Sequence, residues 1–184
     1  KLVDKAVANG MKGMAITDHG NMFGVKELFN YCNKVNSGKP AEEQFKPIFG
    51  CEVYCARRDL HLQDRKNPID KSGWHLILLA KNEVGYHNLV KIVSEAWVDG
   101  YYYRPRTDHK SIEKHHEGII ASSACLAGEI PRYIANGETD KAEESIEWFK
   151  SVFGDDFYIE LRADGTGETY MEDFVTFQWK DGNF

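Results

Sequence analysis

The chain has 184 residues, of which 42% are hydrophobic and 28% charged, a composition typical of one globular domain long enough to bury a core. Its net charge of −6, from 29 acidic and 23 basic residues, argues against broad sequence-independent binding to duplex DNA but leaves room for a local basic groove. No apolar run approaches the roughly 20 residues that cross a bilayer, and the N-terminus lacks the layout of a signal peptide.

The first half of the chain alternates between helical and extended patterns. Apolar residues at helical spacing over residues 2–10 predict a helix that stops at Gly10, and the apolar run at 14–17 predicts a short buried strand. Helical spacing returns over residues 22–35. The segment "KPIFGCEVYCA", residues 46–56, predicts a second strand because it is rich in β-branched and aromatic residues.

A polar segment without a pattern, residues 57–73, begins the second half and predicts a loop. The unbroken apolar run "WHLILLA" that follows predicts a third strand, buried on both faces. Thr107 or Asp108 is a candidate cap for a short helix that ends near His116. The remaining predicted elements are helices over 86–97, 128–136 and 140–153 and strands over 118–124 and 155–161.

Strands separated by helices indicate βα units and an α/β fold with a mainly parallel sheet, either open or closed into a barrel. Because the chain starts at Lys1 in a helical pattern, we expect it to be part of a longer protein whose preceding strand lies upstream. The pattern fails after Leu161, where Gly-rich turns and one candidate strand over 174–179 follow. We therefore predict a domain over residues 1–161 and a tail over residues 162–184.

Ligand-type side chains stand where predicted strands end, which is where α/β folds gather functional groups. Asp18 and His19 follow the first strand, Glu52 lies in the second, and Cys125 follows the fourth. His75 instead opens its strand, so it joins this group only if that strand runs antiparallel to its neighbour. Parity along the strand leaves both alternatives open.

The set of two imidazoles, a carboxylate and a thiol suits Zn²⁺ and is tolerable for Mn²⁺ or Fe²⁺. Asp18 is placed to orient a metal-bound imidazole. Three structural readings compete with a metal site: a turn with a helix cap at 18–20, an inert core thiol at Cys125, and a hydrogen-bonded structural imidazole at His75. The spacing alone does not choose between them.

The four cysteines form no Cys-x-x-Cys pair. The lack of a secretory signal favours a reduced, cytoplasmic setting. Cys51 and Cys55 share one face of the second strand, where small buried thiols are common. They are therefore predicted to lie in the core.

Two further segments carry functional alternatives. In "YYYRPR", Tyr103, Arg104 and Arg106 are candidates for stacking bases and holding phosphates of a single-stranded nucleic acid. The alternative is a tyrosine-rich loop that packs on the domain. In "AGEIPRY", Glu129 and Arg132 are spaced i, i+3 and predict a surface ion pair.

Together, several segments resemble the polymerase and histidinol phosphatase (PHP) domain family, in the branch found in bacterial replicative DNA polymerase III alpha subunits. The resemblance covers residues 1–161 and is specific to this branch in "ITDHGNMFG" and "LLAKNEVGYHNL". The segments that carry it are "GMKGMAITDHGNMFGVKELFNYC", "KPIFGCEVY", "HLILLAKNEVGYHNLVKIVSEAWVDGYYYRPR", "GIIASSACLAGEIP" and "FGDDFYIEL".

The resemblance implies a distorted (β/α)7 TIM-like barrel with a divalent-metal site, containing Zn²⁺ or Mn²⁺, with Mg²⁺ as a third option. It implies that Asp18, His19 and Glu52 serve catalysis. It also implies partners: a DNA primer strand, the polymerase domains of the same chain, and the proofreading and clamp subunits of the replisome. The metal ligands that it implies are His19, Glu52, His75 and Cys125.

Two motifs of the family, an H-x-H on the first strand and an N-D-V-H-type segment on the last, are absent from this chain. We therefore expect an incomplete barrel that lacks its first and last strands, and no efficient hydrolysis by this chain alone. Some members of the family are 3′–5′ proofreading exonucleases and others are scaffolds. A non-catalytic module that supports the polymerase, or a free-standing small-molecule phosphoesterase, therefore stays open as an alternative.

Overall fold

The computed structural model describes residues 1–160, which form one mixed sheet with α-helices packed against it. The helices are α1 Leu2–Ala8, α2 Val25–Asn36, α3 Glu83–Val98, α4 His109–Lys114, α5 Glu129–Ala135 and α6 Thr139–Phe153. The strands are β1 Gly13–His19, β2 Lys46–Ala56, β3 Gly73–Ala80, β4 Arg106–Thr107, β5 Ile119–Ser122 and β6 Phe157–Tyr158. The predicted order of elements is confirmed over these residues, and only the short β4 was not predicted. The predicted tail, with its strand over 174–179, lies outside the described residues.

The strands pair in the order β1-β2-β3-β5-β6, and β4 continues the edge of β1 alongside the second half of β2. β1 and β4 run parallel to β2, and β6 runs parallel to β5. β3 is antiparallel to both of its neighbours. The α/β class is thus correct, but the mainly parallel sheet is corrected to a mixed one, and the described strands do not close into a barrel.

The connection between β2 and β3 explains the reversed strand. Residues 57–72 contain no α-helix, only a short 3₁₀ turn at Pro68–Lys71. A parallel return requires a crossover, usually a helix, whereas an antiparallel return does not. The polar segment predicted as a loop therefore brings the chain back in the opposite direction.

Alternate residues of β2 and β3 face the helices and form the main core. Cys51, Val53 and Cys55 project from β2 on this face, beside Trp74 and Leu76 of β3, and all five are buried. A smaller cluster lies between α1, α2 and β1. Its buried members are Val3, Ala6, Leu28, Cys32 and Phe45. No helix in the described part of the chain is long and apolar enough to span a membrane.

The other residues of the same strands project from the opposite face of the sheet because successive side chains alternate. Glu52 and Tyr54 of β2 lie on that face, and the register places Tyr54 directly opposite His75 of β3. The pleat thus separates a packed apolar face from one that carries ionisable groups.

Candidate functional site

The site is built first from β1 and β2. Their parallel register places His19, the last residue of β1, beside Glu52. The Nδ1 atom of His19 forms a hydrogen bond with Oε1 of Glu52 at 3.1 Å. The His19 side chain is 68% exposed and that of Glu52 is 14% exposed, so the imidazole lies at the surface and the carboxylate on its inner side.

The antiparallel direction of β3 brings His75 to the same place. Its Nδ1 atom lies 2.7 Å from Oε1 of Glu52, the oxygen that also contacts His19. Of the two alternatives left open by the sequence, the antiparallel strand is the one observed. His75, near the start of β3, can therefore meet Glu52, in the second half of β2.

Cys125 reaches the site from the loop that follows β5. Its Sγ atom lies 3.5 Å from Nδ1 of His75. Ala124 adopts a left-handed φ of 58°, which few non-glycine residues tolerate, and this turn carries the chain out of the strand direction. The loop is anchored to β3 because the amide of His75 donates to the carbonyl of Ala127 at 3.1 Å. Cys125 is half-buried in a loop, not enclosed in an apolar strand.

Asp18 does not join this group, which corrects the expectation that it serves catalysis or orients an imidazole. It lies on the opposite face of β1, in register with the core residue Cys51. Its Oδ2 atom accepts a hydrogen bond of 2.8 Å from the amide of Gly24. Asp18 therefore fixes the turn that leads into α2, which is the structural alternative raised for residues 18–20.

The electrostatic surroundings suit an imidazole ligand. Burial lowers the pKa of His75, Glu52 opposes this shift, and the positive charges of Arg104 and Arg132 add to it. The imidazole is therefore uncharged at neutral pH, the form that binds metal ions. In contrast, burial raises the pKa of Cys51 to about 12, so this thiol stays protonated and is a poor ligand.

Two nitrogens, a carboxylate and a thiol form a donor set that fits zinc. Within residues 1–160, no group of three or more His, Cys, Asp or Glu side chains is spaced to hold an ion as it stands. The donors contact one another instead, with Oε1 of Glu52 close to both imidazoles and Sγ of Cys125 close to His75. The chemistry of the donor set fits a divalent cation, and the side chains would have to move apart to bind it.

The aromatic and basic loop between α3 and β4 lies next to this group. Tyr103 is 63% exposed, and Nζ of Lys71 lies 5.5 Å from the centre of its ring. The Arg104 guanidinium carbon lies 4.8 Å over the ring of Tyr54, and that ring contacts His75 edge-on at 5.3 Å. The loop thus presents an exposed tyrosine and an exposed arginine beside the candidate ligands.

Arg106 does not belong to this exposed surface, which corrects the prediction that it contacts nucleic acid. It is fully buried, with an exposed fraction of 0%. Its guanidinium donates to the carbonyls of Gly100, Leu60 and Asp70 at 3.0, 2.7 and 2.8 Å. Arg106 therefore holds loops together and is not available to a phosphate.

The sequence also predicted the wrong partner for Arg132. The predicted ion pair with Glu129 does not form, because Oε2 of Glu129 lies 2.8 Å from Nε2 of His109 and Oε1 accepts from Oγ of Ser145 at 3.0 Å. Arg132 is exposed, and its charge acts on His75. The i, i+3 spacing could not reveal this because the competing partners of Glu129 come from α4 and α6.

Comparisons with known proteins agree with the resemblance seen in the sequence. The family model described as "PHP domain" matches residues 1–164. The chain is 43% identical over 164 residues to the DNA polymerase III subunit alpha of Borreliella burgdorferi, covering 89% of this chain and 14% of that protein. It is 40% identical over 173 residues to the same subunit of Aquifex aeolicus, covering 91% and 14%. The chain thus spans about one seventh of the length of these curated relatives.

Proposed function

The chain belongs to the PHP domain family, and on this premise we propose that it acts in bacterial DNA replication as the N-terminal PHP domain of a DNA polymerase III alpha subunit. Alignments that cover about nine tenths of the chain, at 36–43% identity to proteins of that name, support the proposal. The parent protein is then a DNA-directed DNA polymerase of the cytoplasm. Its partners are the DNA primer strand, its own polymerase domains, and the proofreading and clamp subunits.

We further propose that His19, Glu52, His75 and Cys125 hold a divalent cation. The observation that supports this is the convergence of donors on one carboxylate oxygen, with Oε1 of Glu52 at 3.1 Å from His19 and 2.7 Å from His75. Metal ions displace protons from such groups when they bind. Because the set includes a thiol and two imidazoles, Zn²⁺ is preferred, Mn²⁺ is second, and Mg²⁺ is disfavoured.

A divalent cation bound there would lower the pKa of a coordinated water and stabilise charge on phosphate oxygens, which is the chemistry of phosphodiester hydrolysis. The carboxylate of Glu52 supplies the negative charge that such a site requires. His75 stays neutral because burial lowers its pKa. Tyr103 and Arg104 are placed to stack on a base and to hold the strand. The reaction of this class that suits a polymerase is 3′–5′ removal of nucleotides from the primer.

The metal proposal is tested by binding. We expect the chain to bind Zn²⁺ in isothermal titration and to retain it in elemental analysis. His19→Ala and Glu52→Gln should each weaken the affinity by about 100-fold or more, since even outer-sphere partners are worth 10- to 100-fold. His87→Ala is the matched control, because His87 is a 65% exposed imidazole on α3, away from the site. Equal zinc binding by Glu52→Gln and wild type would contradict the proposal.

A second candidate function, a metal-stabilised module without catalysis, is favoured by one observation. Within residues 1–160 the candidate donors converge on one carboxylate oxygen, Oε1 of Glu52, whereas two-metal hydrolysis uses ions roughly 3.5–4 Å apart. For this chain alone we therefore expect Zn²⁺ to raise the melting temperature while a 3′-labelled primer stays uncut. Metal-dependent release of nucleotides that disappears in Glu52→Gln would instead establish the hydrolytic function.

A further inference from the structure

Two exposed arginines, from different segments of the chain, are carried close to His75 by residues that contact it. Arg104 belongs to the loop between α3 and β4 and reaches over Tyr54, which contacts His75. Arg132 belongs to α5, one helical turn after Gly128, and Gly128 forms an isolated parallel bridge with His75. The amide of Arg132 donates to the carbonyl of Gly128 at 3.1 Å, so the residue that bridges to His75 also anchors the turn of α5 that carries Arg132.

Neither guanidinium forms an ion pair with a carboxylate in the part of the chain that the structure describes. The nearest candidate along α5, Glu129, is engaged by His109 and Ser145. Two exposed arginines that come from separate segments and have no carboxylate partner among residues 1–160 form a positive surface, and such a surface attracts an anion.

We propose that Arg132, together with Arg104, binds phosphate oxygens of a single-stranded nucleic acid beside His75. The planar guanidinium fork matches the geometry of two phosphate oxygens, which favours arginine over lysine at such positions. Tyr103, on the same loop as Arg104, lies exposed nearby and offers a face for a base. This inference rests on the proposed function and deepens it, because it names the residues that hold the phosphodiester next to the metal ligands.

The test measures binding of a fluorescein-labelled single-stranded hexathymidylate by fluorescence anisotropy, in EDTA and over a series of salt concentrations. We expect Arg132→Ala to lose about tenfold in affinity, because it removes a charge-assisted hydrogen bond. It should also reduce the slope of log K against log salt by about 0.7, the value for one phosphate contact on a single strand. Arg132→Lys should keep the slope but lose affinity, since it keeps the charge and lacks the fork.

The control is Lys12→Ala, which removes one exposed positive charge just before β1. Lys12 precedes β1, and His19 is the last of the seven residues of that strand. The distance between Lys12 and His19 along the strand is therefore about 20 Å. We expect this variant to change affinity by less than about twofold. Thermal unfolding of each variant checks that the fold is retained, and Arg132→Lys keeps the test decisive if the alanine variant is unstable.

The inference is overturned if Arg132→Ala behaves like Lys12→Ala, or if the wild-type chain does not bind the oligonucleotide at low salt. Because EDTA removes the metal, the result is independent of the zinc experiment. Loss of oligonucleotide affinity in a chain that fails to bind zinc would support the phosphate site and reject the metal site. If the chain binds zinc as expected, and Arg132→Ala binds the oligonucleotide as tightly as the wild type, only the phosphate site is rejected.

Discussion

At the scale of single residues, the buried Arg106 stabilises the fold and does not bind a ligand. Its three carbonyl partners belong to two connections: Leu60 and Asp70 between β2 and β3, and Gly100 after α3. The carboxylate of Asp70 in turn accepts hydrogen bonds from Arg58. The long polar connection is therefore fixed to the end of α3 through one buried side chain.

Arg106→Met should lower the free energy of unfolding by about 3 kcal/mol or more, because three buried carbonyls lose their donor. Urea denaturation followed by circular dichroism measures this change. Arg104→Ala, two positions earlier and exposed, should change stability by less than about 0.5 kcal/mol. Similar losses in both variants would show that the buried contacts of Arg106 do not stabilise the fold.

At the scale of elements, Glu95 joins α3 to α4. Oγ of Ser111 donates to its carboxylate at 2.6 Å, Nζ of Lys114 donates at 2.9 Å, and Nε2 of His115 lies 3.0 Å away. Burial raises the pKa of Glu95, but these three contacts outweigh it and lower the pKa to about 2. The ionised carboxylate therefore stabilises the docking of α4.

Because the folded-state pKa of Glu95 lies below its ordinary value of 4.5, its contribution is present above pH 4.5 and is lost as the pH falls toward 2. Glu95→Gln should lower the free energy of unfolding by about 1–3 kcal/mol at pH 7, and this difference should narrow below pH 4.5. Urea denaturation at pH 7 and pH 3 measures it. The exposed Glu143→Gln is the control, and an E95Q difference that is constant with pH would contradict the assignment.

At the scale of the whole molecule, packing separates the four cysteines into three buried thiols and one that is half-buried beside the candidate site. Cys32, Cys51 and Cys55 lie in the packed clusters with at most 1% of their surface exposed. Burial raises the pKa of Cys51 to about 12 and that of Cys55 well above its usual range. Cys125, in the loop beside His75, is the half-buried one.

We therefore expect one thiol of the native chain to react rapidly with dithionitrobenzoate, and the other three only at the rate of global unfolding. Cys125→Ser should remove the rapid phase. Saturating Zn²⁺ should suppress it in the wild-type chain, if the metal binds as proposed. More than one rapid equivalent would show that the core opens locally without unfolding.

The sequence by itself determined the order and type of the elements over residues 1–160, since these follow from local periodicity and turn residues. The segment at 46–56 matches β2 at both ends, and Asp108 caps α4 by accepting from the amide of Ser111 at 2.9 Å, as one of the two predicted caps. The position of His19 at a strand end and of Glu52 within the second strand was also evident. The sequence also held a sign that Asp18 points away from His19. Successive strand residues alternate in direction, so Asp18 shares its face of β1 with the apolar Ile16, which packs on the smaller cluster.

Only the tertiary structure decided the direction of β3, and with it whether His75 meets Glu52. It also decided that Arg106 is buried and that Arg132 has no ion pair with Glu129. The physical reason is the same in each case. Periodicity and capping depend on neighbours within a few residues, whereas strand direction, burial and the choice of a charge partner depend on groups brought together from distant parts of the chain.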